Sequence, residues 1–302
     1  MYPLKLVYIA CCCATLAFGF PQQIVNLAKK LSASTTSNTK SQRPISRPKS
    51  DRKYFWELNR VAFSLLPLAP GPRRKTIIEE IVKNEIWTLD QIQGIVNVNV
   101  PVRSTVVKLK DGGLFVHNPV APTLECIEMM RTLENQHGPV KIIVLATLGL
   151  EHKALAGPFS QYFPEAEIYL QPGQWSFPIN MPNYLLGFPI GKKLNEIPSS
   201  SAASVIESTP WNKDFDHASL DKLSFKSVGG FGETAFFHRS TGTLIVTDSV
   251  VRIPDEPPAI IQEDPRALLF HARDKMTDIV TDTDEFRKRG WRRMALFGLE
   301  RL

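Results

Sequence analysis

The sequence predicts one α/β domain behind a removable leader. Three observations carry this: strand-like and helix-like segments alternate along residues 101–302, the leader differs sharply in composition from the rest of the chain, and about 250 residues remain beyond it, enough for a single large core.

The leader is residues 1–53. Residues 4–20, LKLVYIACCCATLAFGF, are apolar apart from Lys5 and short for a membrane span. Small residues (Ala14, Thr15, Ala17) precede a cleavage point, so residues 1–20 read as a signal peptide. Residues 21–53 turn basic and hydroxyl-rich, hold Asp51 as their one acid, and read as a transit peptide or disordered linker. Together they make a two-stage address. Leu16-Ala17-Phe18 resembles the plastid-targeting presequence of algae with secondary plastids, which implies a plastid protein. Plain secretion with a disordered tail is the alternative.

The net charge of +6 belongs to that leader, which holds nine basic residues and one acid; residues 54–302 carry −2. A body without excess base lacks the footprint of a nucleic-acid binder. The local exception, Arg287, Lys288, Arg289, Arg292 and Arg293, reads as the solvated face of a C-terminal helix. Three of the four cysteines lie in the leader, so Cys126 has no internal disulfide partner, and its neighbours Ile127 and Met130 mark it as a buried thiol. No stretch after residue 53 is long enough to span a bilayer.

Residues 54–66 show helical spacing and stop before Pro67, and 74–84 are expected to be helical again; these form an N-terminal helical extension over 54–100. Residues 86–100 read as strand pieces around Gly94. Strands at 103–110 and 114–117 are joined by the turn Asp111-Gly112-Gly113. Next come a helix at 122–135, a buried strand at 141–146, a helix at 151–163 with a break at Pro158, and a strand at 167–171. Residues 172–215 are rich in Pro, Gly and Ser and read as a long loop or insertion, in which the aromatic stretch Gln174-Trp175-Ser176-Phe177 is expected to pack, with a ligand wall as the alternative. Strands at 223–228, 234–238 and 243–247 and helices at 265–275 and 282–299 complete the core, residues 101–302. There is no phosphate-binding glycine loop, no G-x-S-x-G and no repeat.

Two segments resemble a metallo-β-lactamase-type hydrolase. In Ile142–His152, IIVLATLGLEH, a buried strand runs into the place of the motif H-x-H-x-D-H. Aligned on the last His, Thr147 and Gly149 stand at the two leading His positions, Glu151 at the Asp position and His152 at the final His; shifted by one, Leu148 and Leu150 stand at the leading positions. In Gly229–Asp248, GGFGETAFFHRSTGTLIVTD, Asp248 matches the metal-bridging Asp, and the His expected near Gly229 or Gly230 is missing. A longer likeness rests on GPRRKTIIEEIVKNEIWTLDQIQGI, NVPVRSTVVKLKDGGLFVHNPVAPT, ATLGLEHKALAGPF and QPGQWSFP. By these strings residues 54–302 resemble a family of photosynthetic organisms catalogued as domain of unknown function 4336. That family's pattern continues past the final GWRRMALFGLERL, which implies a chain that stops short. The resemblance implies an αββα sandwich.

Zinc takes three or four N, S or O ligands at about 2 Å. The surviving candidates are Glu151, His152 and Asp248, with His271 or His117 as a further ligand or base. His117 ends a strand before Asn118-Pro119 and faces the expected cleft. His137 and His217 are expected exposed in polar loops, and His238 at the surface. The alternative for Glu151 and His152 is a helix-capping role. With the leading imidazoles missing, the expectation is a fold without its two-metal site and without a cofactor, serving as a binding or assembly module for a small-molecule or protein ligand at the degenerate cleft. The other expectation is a hydrolase with one Zn, Fe or Mn ion, in which His117, His152 and Asp248 are the candidate catalytic residues.

Overall fold

The computed structural model describes residues 49–55, 68–69, 73–95, 98–174, 183, 187–198, 208–224 and 230–299. Residues 1–48 of the two-part leader and most of the expected helix at 54–66 lie outside them. Lys49–Tyr54 form a short 3-10 turn.

The extension is made of strands. Residues 74–84, expected to be helical, run instead into β2 (Ile77–Val82), which turns back through Asn84 (φ 58°) into β3 (Ile86–Ile95). Ile77, Ile78, Ile81 and Val82 fit helical spacing, but pairing along β3 outweighs that local preference. β3 then pairs antiparallel along its whole length with β4 (Val98–Lys108), and β1 (Leu68–Ala69) joins the far end of β3.

β5 (Leu114–His117) comes after a tight turn and pairs antiparallel with β4. From there the connections are strand–helix–strand: α1 (Leu124–His137), β6 (Val140–Leu145), α2 (Leu150–Ser160) and β7 (Glu167–Leu170). Thr123 caps α1 by accepting the Cys126 N–H at 3.1 Å, and Gly138 (φ 98°) ends it. β5, β6, β7 and the short β8 (Leu194–Glu196) are parallel, so the eight-stranded sheet is mixed, in the order β1-β3-β4-β5-β6-β7-β8 with β2 on β3. The expected loop 172–215 therefore contains one strand of the large sheet.

β9 (Phe215–Ser224), β10 (Gly230–His238) and β11 (Thr243–Ile245) form a separate antiparallel sheet in the order β11-β10-β9. β9 begins eight residues before the expected strand at 223. Three helices close the chain: α3 (Ala259–Gln262), α4 (Arg266–His271) and α5 (Asp284–Leu299).

The pleat sorts the core into two layers. Leu89, Val102, Val106, Val116 and Ile143 point to one face of the large sheet and pack against Met130 and Leu133 of α1 and Leu155 and Phe159 of α2. Val107, Phe115, Ile142 and Val144 point to the other face and meet Trp211, Phe215, Phe236 and Ile245 of the small-sheet layer. From Ile142 to Leu145 β6 is buried on both faces, which is why that stretch is a continuous apolar run, while Lys141 is exposed. α3–α5 lie on the small-sheet side but pack on the β3 region through Ile92, Ile260, Leu268 and Trp291. The domain is thus a layered α/β sandwich of α1 and α2, the large sheet and the small sheet, with α3–α5 packed on the β3 end of the large sheet.

Among the described residues no helix is long and apolar enough to cross a membrane.

Candidate metal centre

The site forms where β5 and β6 end, at the carboxyl edge of the parallel strands, where open α/β sheets present their ligand crevices. β6 stops at Leu145 and residues 146–149 lead into α2, whose first turn carries Glu151 and His152. Gly149 is the N-cap residue and makes no side-chain cap bond, and Glu151 folds back so that a Cβ on Gly149 would meet its Oε1 at 2.8 Å. Asp248 arrives on the segment after β11.

One ligand atom from each of Glu151, His152 and Asp248 lies within 4.8 Å of the other two. Ligands held at about 2.1 Å from one ion lie roughly 3–4 Å apart, so the three need to close by only about 1 Å. Glu151 and His152 are buried and Asp248 is half-buried, which leaves the Asp248 side open to solvent.

His117, the last residue of β5, is buried edge-on to Phe236 at 5.8 Å and is not one of the three residues that converge. Burial, reinforced by the neighbouring His152, pushes its pKa down to about 3. Burial also lowers His152, against the opposing pull of Glu151 and Glu233. His117 Nε2 and His152 Nδ1 are buried and have no hydrogen-bond partner among the described residues. A buried imidazole nitrogen that carries the lone pair needs a proton or a cation, so His152, which also belongs to the converging group, fits a metal ion.

A pair of ions finds fewer donors. At the leading positions Thr147 Oγ1 already accepts the Gly149 N–H at 3.1 Å, and Leu148 is buried and apolar.

The remaining sequence candidates lie elsewhere. His271 ends α4 and lines a groove with Phe270, Arg273 and Arg293, apart from the three-residue group. His137 is not free in a loop: it ends α1 with its ring 4.7 Å from Trp87. His217 is buried, accepting from Trp211 Nε1 at 3.3 Å and donating to the Pro198 carbonyl at 3.0 Å. His238, expected at the surface, is buried with its Nδ1 on the Thr241 hydroxyl at 2.8 Å. His217 and His238 face inward because the strands carrying them are covered, and His137 is half-buried, which loop-like composition does not reveal. Cys126 is buried, and desolvation pushes its thiol pKa up to about 12. Trp175–Phe177 lie outside the described residues; Gln174 reaches the Thr147 carbonyl at 3.0 Å. Of the basic residues on α5, Arg287, Lys288, Arg289 and Arg293 pair with Asp282, Glu256, Asp274 and Asp274.

Sequence reasoning passed over Glu233 and treated Asn118 only as a neighbour of His117. Both are buried and both hold the segment that carries Asp248. Asn118 sits at φ 46°, an uncommon backbone for a side-chain-bearing residue, directly after His117. The positive φ has no sequence signature beyond the Asn itself.

Two sheets face to face, with a Glu–His–Asp group at their strand ends, define a layered α/β protein with a candidate single-ion site. The model of the domain of unknown function DUF4336 matches residues 83–300, and the chain belongs to that family. Among solved structures it is similar to a fragment (1-254) described as diflavin flavoprotein A 5 from Nostoc sp. PCC 7120, at 11% identity and TM-score 0.40, covering 65% of this chain and 76% of that one. It is also similar to a metallo-beta-lactamase from Pontibacter korlensis, at 10% identity and TM-score 0.35, covering 64% and 83%. No curated protein matches the sequence.

Proposed function

We propose that the domain binds one divalent transition-metal ion through Glu151, His152 and Asp248 and acts as a single-metal hydrolase. The observation that carries this is the convergence of one ligand atom each from Glu151, His152 and Asp248 within 4.8 Å, with a buried nitrogen of the His152 ring itself lacking a partner among the described residues. Carboxylate and imidazole suit Zn, Fe or Mn. Such an ion, when bound, supplies a Lewis acid and lowers the pKa of a coordinated water toward neutrality.

The protein's own groups supply the rest. Glu151 and His152, adjacent on a rigid buried turn, present their donors with little freedom to move. The part-exposed Asp248 leaves an approach for substrate. His117, held neutral at physiological pH by burial, is too weak a base to take a proton there and serves instead as a further neutral imidazole donor.

Metal analysis of the purified chain tests this reading: about one equivalent of Zn, Fe or Mn per chain is expected. His152→Ala, in a chain that still folds, is expected to abolish it. A metal-free wild type after exposure to each of these ions would overturn it. That outcome would favour the second reading, a metal-free binding or assembly module, which the missing leading imidazoles support.

We further propose delivery to a plastid by the leader, on the strength of its apolar run and the basic, acid-poor stretch after it. A reporter carrying residues 1–53 is expected in the plastid of an alga with secondary plastids; secretion to the medium would end this claim.

A further inference from the structure

The donors come from two chain segments about a hundred residues apart, the first turn of α2 and the segment after β11, and something must hold them in register. Glu233, on β10, touches both. Through its main chain it forms a bridge with Thr147 that joins the small sheet to the large one. The contacts flanking that bridge are Thr234 N–H to the Ala146 carbonyl, 2.8 Å, and Leu148 N–H to the Gly232 carbonyl, 3.0 Å. Through its carboxylate it holds the other segment. Oε1 accepts the Thr247 N–H at 2.5 Å and the Ser249 hydroxyl at 3.1 Å; Oε2 accepts the N–H groups of Asp248 and Ser249, each at 2.9 Å.

Three successive backbone N–H groups converging on one carboxylate make an anion nest. Glu233 is 2% exposed, and a buried carboxylate persists only when its lone pairs are satisfied. Four donors satisfy this one, and one of them is the amide of Asp248 itself.

We infer that Glu233 is a positioning residue that locks the Asp248 segment against the loop leading to Glu151 and His152, so that the three donors meet. This rests on the single-ion reading of Glu151, His152 and Asp248. The charge of Glu233 also reaches His152, where it opposes the effect of burial on the imidazole. Partners that orient metal ligands in this way typically contribute 10–100-fold in metal affinity.

Two measurements on the full chain test the inference, one with Co(II) and one without metal. In the first, wild type, Glu233→Gln and Ser249→Ala are titrated with Co(II) while the visible d–d bands are tracked. Glu233→Gln turns an amide NH2 toward donors and is expected to weaken binding about 10–100-fold and shift the bands. Ser249→Ala loses one hydroxyl contact and is expected to weaken it about threefold. In the second, amide exchange at Thr247, Asp248 and Ser249 is expected to rise more than about tenfold in metal-free Glu233→Gln. Wild-type affinity, bands and exchange in Glu233→Gln would overturn the inference. If that variant does not fold, Ser249→Ala decides, and wild-type binding and bands in it would overturn the inference. If wild type takes up no Co(II), the ion site falls, and exchange alone judges whether Glu233 holds the Asp248 segment.

Discussion

Asn118 donates from Nδ2 to the Thr247 hydroxyl at 2.6 Å, while its Oδ1 accepts the Ala146 N–H at 2.7 Å. One carboxamide thus ties the end of β6 to the residue before Asp248, and the Asn118 N–H adds a bond to the Val144 carbonyl at 2.8 Å. Removing the side chain leaves the buried Ala146 amide without a partner and keeps a positive φ that Ala tolerates poorly. Asn118→Ala is expected to cost about 2–4 kcal/mol in equilibrium urea unfolding. A loss below about 0.5 kcal/mol would show that the tie is idle.

His117 makes the metal-free protein acid-sensitive. Its folded pKa is depressed to about 3, below the about 6.5 of an unfolded chain. Above the unfolded value neither state is protonated and nothing is lost. As pH falls below it, the unfolded chain takes up a proton that the folded one refuses, and stability drops until the folded pKa is reached. Between about pH 7.5 and 5.5 this residue alone is expected to remove about 1.4 kcal/mol, and the lowered His152 acts in the same direction. Denaturation of the metal-free chain across that range should show the loss, and His117→Gln should reduce it; an unchanged slope in the variant would refute the assignment.

Phe236 is the hinge pin between the sheets. Its ring lies 5.3 Å from Phe115 of the large sheet, 5.6 Å from Trp211 and 6.0 Å from Phe215, and stacks on His217 at 5.9 Å. Phe236→Ala is expected to destabilise by about 3–5 kcal/mol, because these rings cannot collapse into the space it leaves. Calorimetric unfolding measures it, and a loss under about 1 kcal/mol would contradict the packing described.

Gly290, within α5, lies against the carbonyl of Leu268 in α4, and a Cβ there would collide with that oxygen. Helix propensity favours Ala over Gly by about 1 kcal/mol, but the collision is with backbone, which cannot rotate away. Gly290→Ala is therefore expected to lower stability, by roughly 1–3 kcal/mol, in thermal or urea unfolding. A stabilised variant would mean that the two helices separate freely.

Much of the sandwich is legible in the chain. The strands at β4, β5, β6 and β7 and the helices α1 and α2 arise from their apolar patterns and turn residues. Residues 74–84 are one exception, as β8 and the early start of β9 are others. Thr76–Val82 reads as helical because its apolar residues recur at helical intervals, yet the same residues pair with β3. Local spacing is ambiguous there, and cross-strand partners decide it.

Glu151 and His152 are visible as a pair because neighbours in sequence at the start of a helix stay neighbours in space. Periodicity of apolar residues, which reports burial, likewise determined most of the strand and helix layers. Only the tertiary structure brought Asp248 to them, seated Glu233 beneath its amide, turned His117 inward and sent His271 to another groove. The reason is physical: apolar spacing says which face of an element is covered but not what covers it, and a site assembled from distant segments depends on that second fact.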